Sequence, residues 1–239
     1  MKRKLTRLSR RYASARRITV LLADDHQLVR EGFRSLLKHE RDIEVVGEAE
    51  NGRQAVQLTR KLRPDVVLMD IAMPLLNGLE ATRQIRKEFP NTRVLILSAH
   101  GDDAYVEQVT ALGAAGFLLK QISSDVLAKA IRGVQKGDTF FSPSISKRVR
   151  DRAQKLAAPG GSSKKRGNRL SSRELEVLQL IAEGKSNKQV AAELGVSFKT
   201  VDKHREHLMS KLDIHDVAGL TRYAIAEGII ESNVRVTIT

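Results

Sequence analysis

The chain of 239 residues has room for two domains, each with its own core, and it contains no cysteine, which excludes a disulfide framework, thiol catalysis and cysteine-ligated zinc. Its formal net charge of +14 is local: residues 1–17 carry eight basic residues and no acid, and residues 142–169 carry nine basic and one acidic. Residues 18–141 (16 basic, 17 acidic) and 170–239 (nine basic, ten acidic) are close to neutral. No apolar stretch approaches the ~18 residues that span a bilayer, so the reading is a soluble protein with no membrane partner.

In chain order, short apolar runs alternate with amphipathic stretches. The runs at 18–23, 43–48, 66–69, 93–98 and 116–119 have the length and the Val, Ile and Leu content of strands buried on both faces. Helical periodicity predicts helices near 26–38, 52–62, 78–88, 102–112 and 123–136, punctuated by Gly32, Gly52, Pro64, Pro90, Gly101 and Gly113. Five such units make an α/β doubly wound domain with a five-stranded parallel sheet over 18–141. Residues 142–169 read as a basic linker with room for one helix over 143–157. The Gly- and Ser-rich run from Pro159 to Asn168 follows no strand and lacks the spacing of a phosphate loop.

Residues 170–230 read as a separate all-α domain. Ser171-Ser172-Arg173-Glu174 is a capping box ahead of Leu175, Val177, Leu178 and Ile181. Gly184 stops that helix; a short helix over 187–194, a turn at Gly195 and a helix from a Ser197 cap to Leu212 form a helix-turn-helix. A fourth helix covers 216–227. Residues 1–17 read as a disordered basic extension and 231–239 as a C-terminal tail.

The chemistry gathers at one sheet edge, because ligands of such sheets bind beyond the carboxyl ends of the strands. Asp24 and Asp25, Asp70, Ser98 and Lys120 each follow or close a strand. Three carboxylates repel one another unless a hard divalent cation neutralises them, and Mg²⁺ suits an all-oxygen site. A phosphoryl group on the central-strand Asp70 would be an acyl phosphate, with the cation, Lys120 and Ser98 as partners for its oxygens. A phosphatase of the haloacid dehalogenase type would need a second acid two residues after the nucleophile to protonate the leaving group. That position is Ala72, so the chain reads as no enzyme of that kind.

Residues 18–137 resemble a two-component receiver domain, and residues 170–230 resemble the LuxR-type helix-turn-helix of the NarL/FixJ response regulators. The resemblance rests on Asp24-Asp25-His26, Met69-Asp70-Ile71-Ala72-Met73-Pro74, Leu97-Ser98-Ala99-His100, Gly116-Phe117-Leu118-Leu119-Lys120 and Thr200-Val201-Asp202-Lys203-His204. It implies a strand order 2-1-3-4-5, Asp70 as phosphoacceptor and Mg²⁺ held by Asp24, Asp25, Asp70 and the backbone carbonyl of Ala72. It also implies Lys120 and Ser98 as partners of the phosphoryl group, and Phe117 with Ser98 as switch positions. Gln121 stands where many receivers have proline after the lysine, which implies an altered switching geometry. On the recognition helix the expected DNA-binding set is Lys199, Thr200, Asp202, Lys203, Arg205, Glu206 and His207. The family places the positions of Asp202, Lys203 and Glu206 at base edges. The family uses its last helix to dimerise; Val217, Leu220, Thr221 and Ala224 line the expected dimerisation face, and equally some of them read as the domain's own core.

The expected protein is a cytoplasmic, phosphorylation-controlled transcriptional regulator and not an enzyme. A sensor histidine kinase phosphorylates Asp70, and the chain then binds promoter DNA as a homodimer, with RNA polymerase as a further partner. The alternative is a phosphorylation-independent DNA-binding regulator whose receiver serves as a dimerisation platform.

Overall fold

The computed structural model describes residues 16–99, 108–141 and 170–230. His100, the first part of the helix expected over 102–112, the helix expected over 143–157, most of the N-terminal extension, the linker and the C-terminal tail lie outside the described residues.

The first domain runs β1 (Ile18–Ala23), α1 (Gln27–Leu37), β2 (Ile43–Ala49), α2 (Gly52–Leu62), β3 (Val66–Asp70), α3 (Gly78–Glu88), β4 (Arg93–Ser98), β5 (Gly116–Leu119), α4 (Ser124–Lys136) and β6 (Phe140–Phe141). The sheet is parallel, in the order β2-β1-β3-β4-β5-β6. The five expected strands stand in the expected order. The difference is a sixth, β6, whose two residues pair with Gly116 and Phe117 at the sheet's edge.

Alternation along each strand sends side chains to two separate cores. Leu21, Val67, Met69, Ile96 and Phe117 pack with Val56, Leu79 and Ile85 under α2 and α3. Val20, Leu22, Leu68, Leu95 and Leu118 pack with Phe33, Leu37, Leu127 and Ile131 under α1 and α4. Each fully buried side chain of this size contributes about 1.5–3 kcal/mol, and together they clamp β3 in the middle of the sheet. Asn51 and Asn77 cap α2 and α3 by accepting the N–H groups of Gln54 and Glu80.

The second domain is four helices: α5 (Ser172–Ala182), α6 (Asn187–Leu194), α7 (Phe198–Leu212) and α8 (Val217–Ala226). The Ser171–Glu174 capping box is formed, and Ser186 with Gln189 makes a second one at α6. Gly195 ends α6 in the left-handed region (φ 61°) that favours glycine. Val177, Leu178, Ile181, Val190, Val201, Leu208, Leu220 and Ala224 form the core, and Leu75, from the loop between β3 and α3, packs against it. Among the described residues no helix is long and apolar enough to cross a membrane.

Candidate functional site

The parallel sheet brings the expected polar residues to one edge. Asp24 and Asp70 are buried there, Ser98 is buried beside them, and Asp25 is partly exposed at the rim. Lys120 Nζ lies 2.7 Å from Asp24 Oδ2 and 3.0 Å from Asp70 Oδ2, so it bridges two carboxylates that would otherwise repel. Burial raises the Asp70 carboxyl to about 7; the Lys120 charge opposes that rise and the Asp24 charge adds to it. Burial works against the Lys120 ammonium too, but Asp70 and Asp24 outweigh it and hold its pKa above the ordinary lysine range.

His26, part of the Asp24-Asp25-His26 motif but outside the expected metal set, joins the acidic edge. His26 Nδ1 lies 2.8 Å from Asp25 Oδ1 and 3.4 Å from Asp24 Oδ1. One ligand atom each from Asp24, Asp25, His26 and Asp70 can be chosen so that all lie within 4.8 Å of one another. Carboxylate oxygens dominate that set, which fits a hard divalent cation.

The backbone around the pocket is held closely. Arg30, buried on α1, donates to the Asp24 carbonyl oxygen (2.7 Å) and to Glu48 (3.1 Å), tying the acidic loop to β2. This buried arginine was missed, and its only sequence signal is a basic residue among the inward positions Phe33 and Leu37 of α1. Behind Asp70, the chain turns through 71–77 into α3, and Gly78 comes so near that a Cβ there would sit 1.8 Å from the Asp70 carbonyl oxygen. Phe117 is fully buried in the core under α2 and α3.

In the second domain, Lys199, Lys203, Glu206 and His207 are exposed on one side of α7, as a groove-entering helix requires. Val201 and Leu208 face the core. Three expected DNA residues have other engagements. Asn187 donates to Asp202 Oδ1 (2.6 Å) and accepts from Arg205 Nη1 (3.0 Å), so both are half-buried ties between α6 and α7. Thr200 completes the N-cap, its hydroxyl 2.8 Å from that of Ser197. Lys211 reaches Glu174 at 2.7 Å and fixes the far end of α7 to α5.

For two residues of the expected dimerisation face the structure selects the core alternative. Leu220 and Ala224 are fully buried in the domain's own core, whereas Val217 is exposed and Thr221 half-buried, its hydroxyl turned back to the Val217 carbonyl. The spacing was that of an inward stripe.

A fold of this order, with an acidic pocket and lysine at the strand ends and a tethered helix-turn-helix, defines a two-domain signalling regulator. Comparison with known proteins agrees. The response regulator receiver domain model matches residues 20–132, and the model of bacterial regulatory proteins of the luxR family matches residues 168–224. The chain is 38% identical over 211 residues to the transcriptional regulatory protein DegU of Brevibacillus brevis, covering 84% of this chain and 89% of that one. It is 40% identical over 207 residues to the transcriptional regulatory protein LiaR of Bacillus subtilis, covering 87% and 96%. A structure of the Salmonella typhimurium response regulator RcsB aligns over 89% of this chain and 99% of its own, at 28% identity and a TM-score of 0.57. A structure of two RcsB dimers bound to two parallel DNAs aligns over 87% and 97%, at 30% identity and a TM-score of 0.52. The chain belongs to the response regulators that join a receiver to a LuxR-type helix-turn-helix, and its function is the regulation of transcription.

Proposed function

We propose that Asp70 accepts a phosphoryl group from a sensor histidine kinase, and that this event switches the LuxR-type domain to dimeric binding of promoter DNA. The observation that carries the reading is the Lys120 bridge between Asp24 and Asp70 at the carboxyl edge of the sheet. Asp70 offers a carboxylate oxygen at the end of the central strand. Lys120 is placed to leave the carboxylates and pair with phosphoryl oxygens, and the Ser98 hydroxyl stands at the next strand end as a further partner. Asp24, Asp25, Asp70 and the Ala72 carbonyl would hold Mg²⁺, which when bound supplies charge neutralisation for the incoming phosphoryl group. The chain then acts on no substrate but its own aspartate, and is not an enzyme in the usual sense.

Lys199, Lys203, Glu206 and His207 supply the groove face, and the exposed Val217 side of α8 supplies the contact between two copies. The RcsB dimers bound to DNA support dimeric DNA binding by likeness. RNA polymerase is the partner that a promoter-bound regulator addresses, and the cytoplasm is where kinase, chain and promoter meet. Beryllofluoride, a mimic of an aspartyl phosphate, tests the reading. With Mg²⁺ it should raise both the dimer fraction and the affinity for DNA. An unchanged oligomeric state and unchanged DNA affinity would overturn phosphorylation control in favour of a receiver that only pairs.

A further inference from the structure

The loop that follows the phosphoacceptor is gripped from outside the receiver. On the receiver side it is closed by Gly78 N–H to the Ile71 carbonyl (2.8 Å) and Gly52 N–H to the Leu76 carbonyl (3.0 Å). On the other side lies α5 of the DNA-binding domain. The Gln179 side chain, itself buried, spans the turn: its Oε1 accepts the Asn77 N–H (2.8 Å) and its Nε2 donates to the Met73 carbonyl (2.9 Å). Between those two points the Glu183 carboxylate accepts the Leu75 N–H, at 3.0 and 3.3 Å, and is itself steadied by Gln179 Nε2 at 2.8 Å.

Leu75 has φ 66°, a left-handed conformation that carries a steric cost for any residue with a side chain. What offsets that cost comes from the second domain: the carboxylate on its N–H and the apolar core against its side chain. Arg53 and Gln84 both reach Glu176, and Asn77 Nδ2 donates to the Ile229 carbonyl, so the seat extends beyond the turn. The turn therefore owes its shape to α5 as much as to its own sequence. Ala72 lies inside it, between Asp70 and the gripped Met73.

We propose that Gln179, assisted by Glu183, is a positioning residue for the acidic pocket. By fixing the 71–77 turn it fixes the Ala72 carbonyl, so the pocket's affinity for a divalent cation depends on the seating of the DNA-binding domain. The inference rests on the reading of that pocket as a Mg²⁺ site. Groups that orient metal ligands from outside are worth on the order of tenfold or more in metal affinity when removed. Because coupling between two equilibria is reciprocal, Mg²⁺ in the pocket also tightens the seat of the DNA-binding domain.

The test uses the full chain and Mg²⁺ alone, with binding followed by calorimetry and amide hydrogen exchange followed over residues 73–77. Gln179→Met keeps the length and the apolar stem and removes both polar contacts. It should bind Mg²⁺ on the order of tenfold more weakly, with faster exchange at Leu75 and Asn77 and an unchanged helical signal. Wild-type affinity in this variant, with those amides exposed, overturns the proposal. The unaltered chain supplies a second measurement that needs no variant: Mg²⁺ should slow exchange at Leu75 and Asn77, and an unchanged rate also overturns the proposal. Failure of the unaltered chain to bind Mg²⁺ at all would overturn the metal reading itself, and is distinguishable from either result.

Discussion

The pocket of the receiver and the recognition face of α7 are built on opposite plans. In the pocket, Asp24, Asp70 and Lys120 already hold one another, and burial leaves them few alternatives. On α7, Lys199, Lys203, Glu206 and His207 stand exposed, so their final geometry is decided when a duplex arrives. A buried site carries its geometry with it, whereas an exposed one carries only its chemistry. The difference also assigns roles within α7: Asp202 and Arg205, taken up by Asn187, belong to the frame rather than to the reading face.

The sharpest way to break this contrast is to neutralise the pocket's central carboxylate. Asp70→Asn should abolish phosphoryl uptake from a small acyl phosphate donor while leaving the receiver folded, as read by phosphate-affinity electrophoresis and circular dichroism. Labelling of the variant at wild-type stoichiometry would place the acceptor elsewhere. Next in size is Gly78→Ala, which forces a methyl group into the Asp70 carbonyl. Urea unfolding should show a loss of about 3 kcal/mol, the upper range for overpacking, and wild-type stability would mean that α3 can slide off β3 freely.

On the exposed face the effects are smaller and depend on the partner. Lys203→Ala should weaken binding to a specific duplex by about 1–3 kcal/mol, with a lesser loss on random duplex. Arg205→Ala should lose less DNA affinity, and should lower the unfolding free energy of the second domain by about 1 kcal/mol through its Asn187 bond. If Arg205→Ala proves the worse binder with no change in stability, Arg205 reads DNA after all.

The smallest expected effect lies between the two regions. Burial raises the Glu80 carboxyl, against Arg83, Ser172 and Gln84 and with the Glu176 charge adding to the rise. It raises the Glu183 carboxyl likewise, against Gln179, the Leu75 N–H, Lys185 and Arg53. A carboxyl raised in the seated state keeps its proton there at a pH where it has lost it when separated. Seating is therefore fully supported below the ordinary glutamate range and weakens as pH rises through the raised values. Small-angle scattering between about pH 5 and about pH 8 should show a modest increase in radius of gyration, and a decrease would reverse the assignment.

Much of this was legible because burial leaves a strong periodic trace. Runs such as Val66-Val67-Leu68-Met69 announce central strands, and polar residues at their ends announce the pocket. Phe140-Phe141 left no such trace, since two residues cannot establish a period, and a sixth strand went unseen. Val217, Leu220, Thr221 and Ala224 show the opposite failure. Their spacing marks one helical face, but periodicity cannot say whether that face meets the domain's own core or a second copy. Gln179 and Glu183 were unreadable for a third reason. On an amphipathic helix a glutamine and a glutamate look like solvent-facing residues, and only the arrival of the 71–77 turn makes them ligands of a backbone. Asn187 was hidden in the same way, being polar at the start of a short helix and decisive only through the two side chains it bridges.

Gly78 has a consequence for where a substitution is felt. Rim residues such as Asp25 and His26 have space on one side, and their neighbours can vary with little mechanical penalty. Residue 78 works as a spacer of zero thickness between the Asp70 peptide group and the first turn of α3. Any side chain there would be transmitted directly to the position of Asp70, so a substitution at residue 78 moves the pocket's centre, whereas one beside the rim moves only its edge.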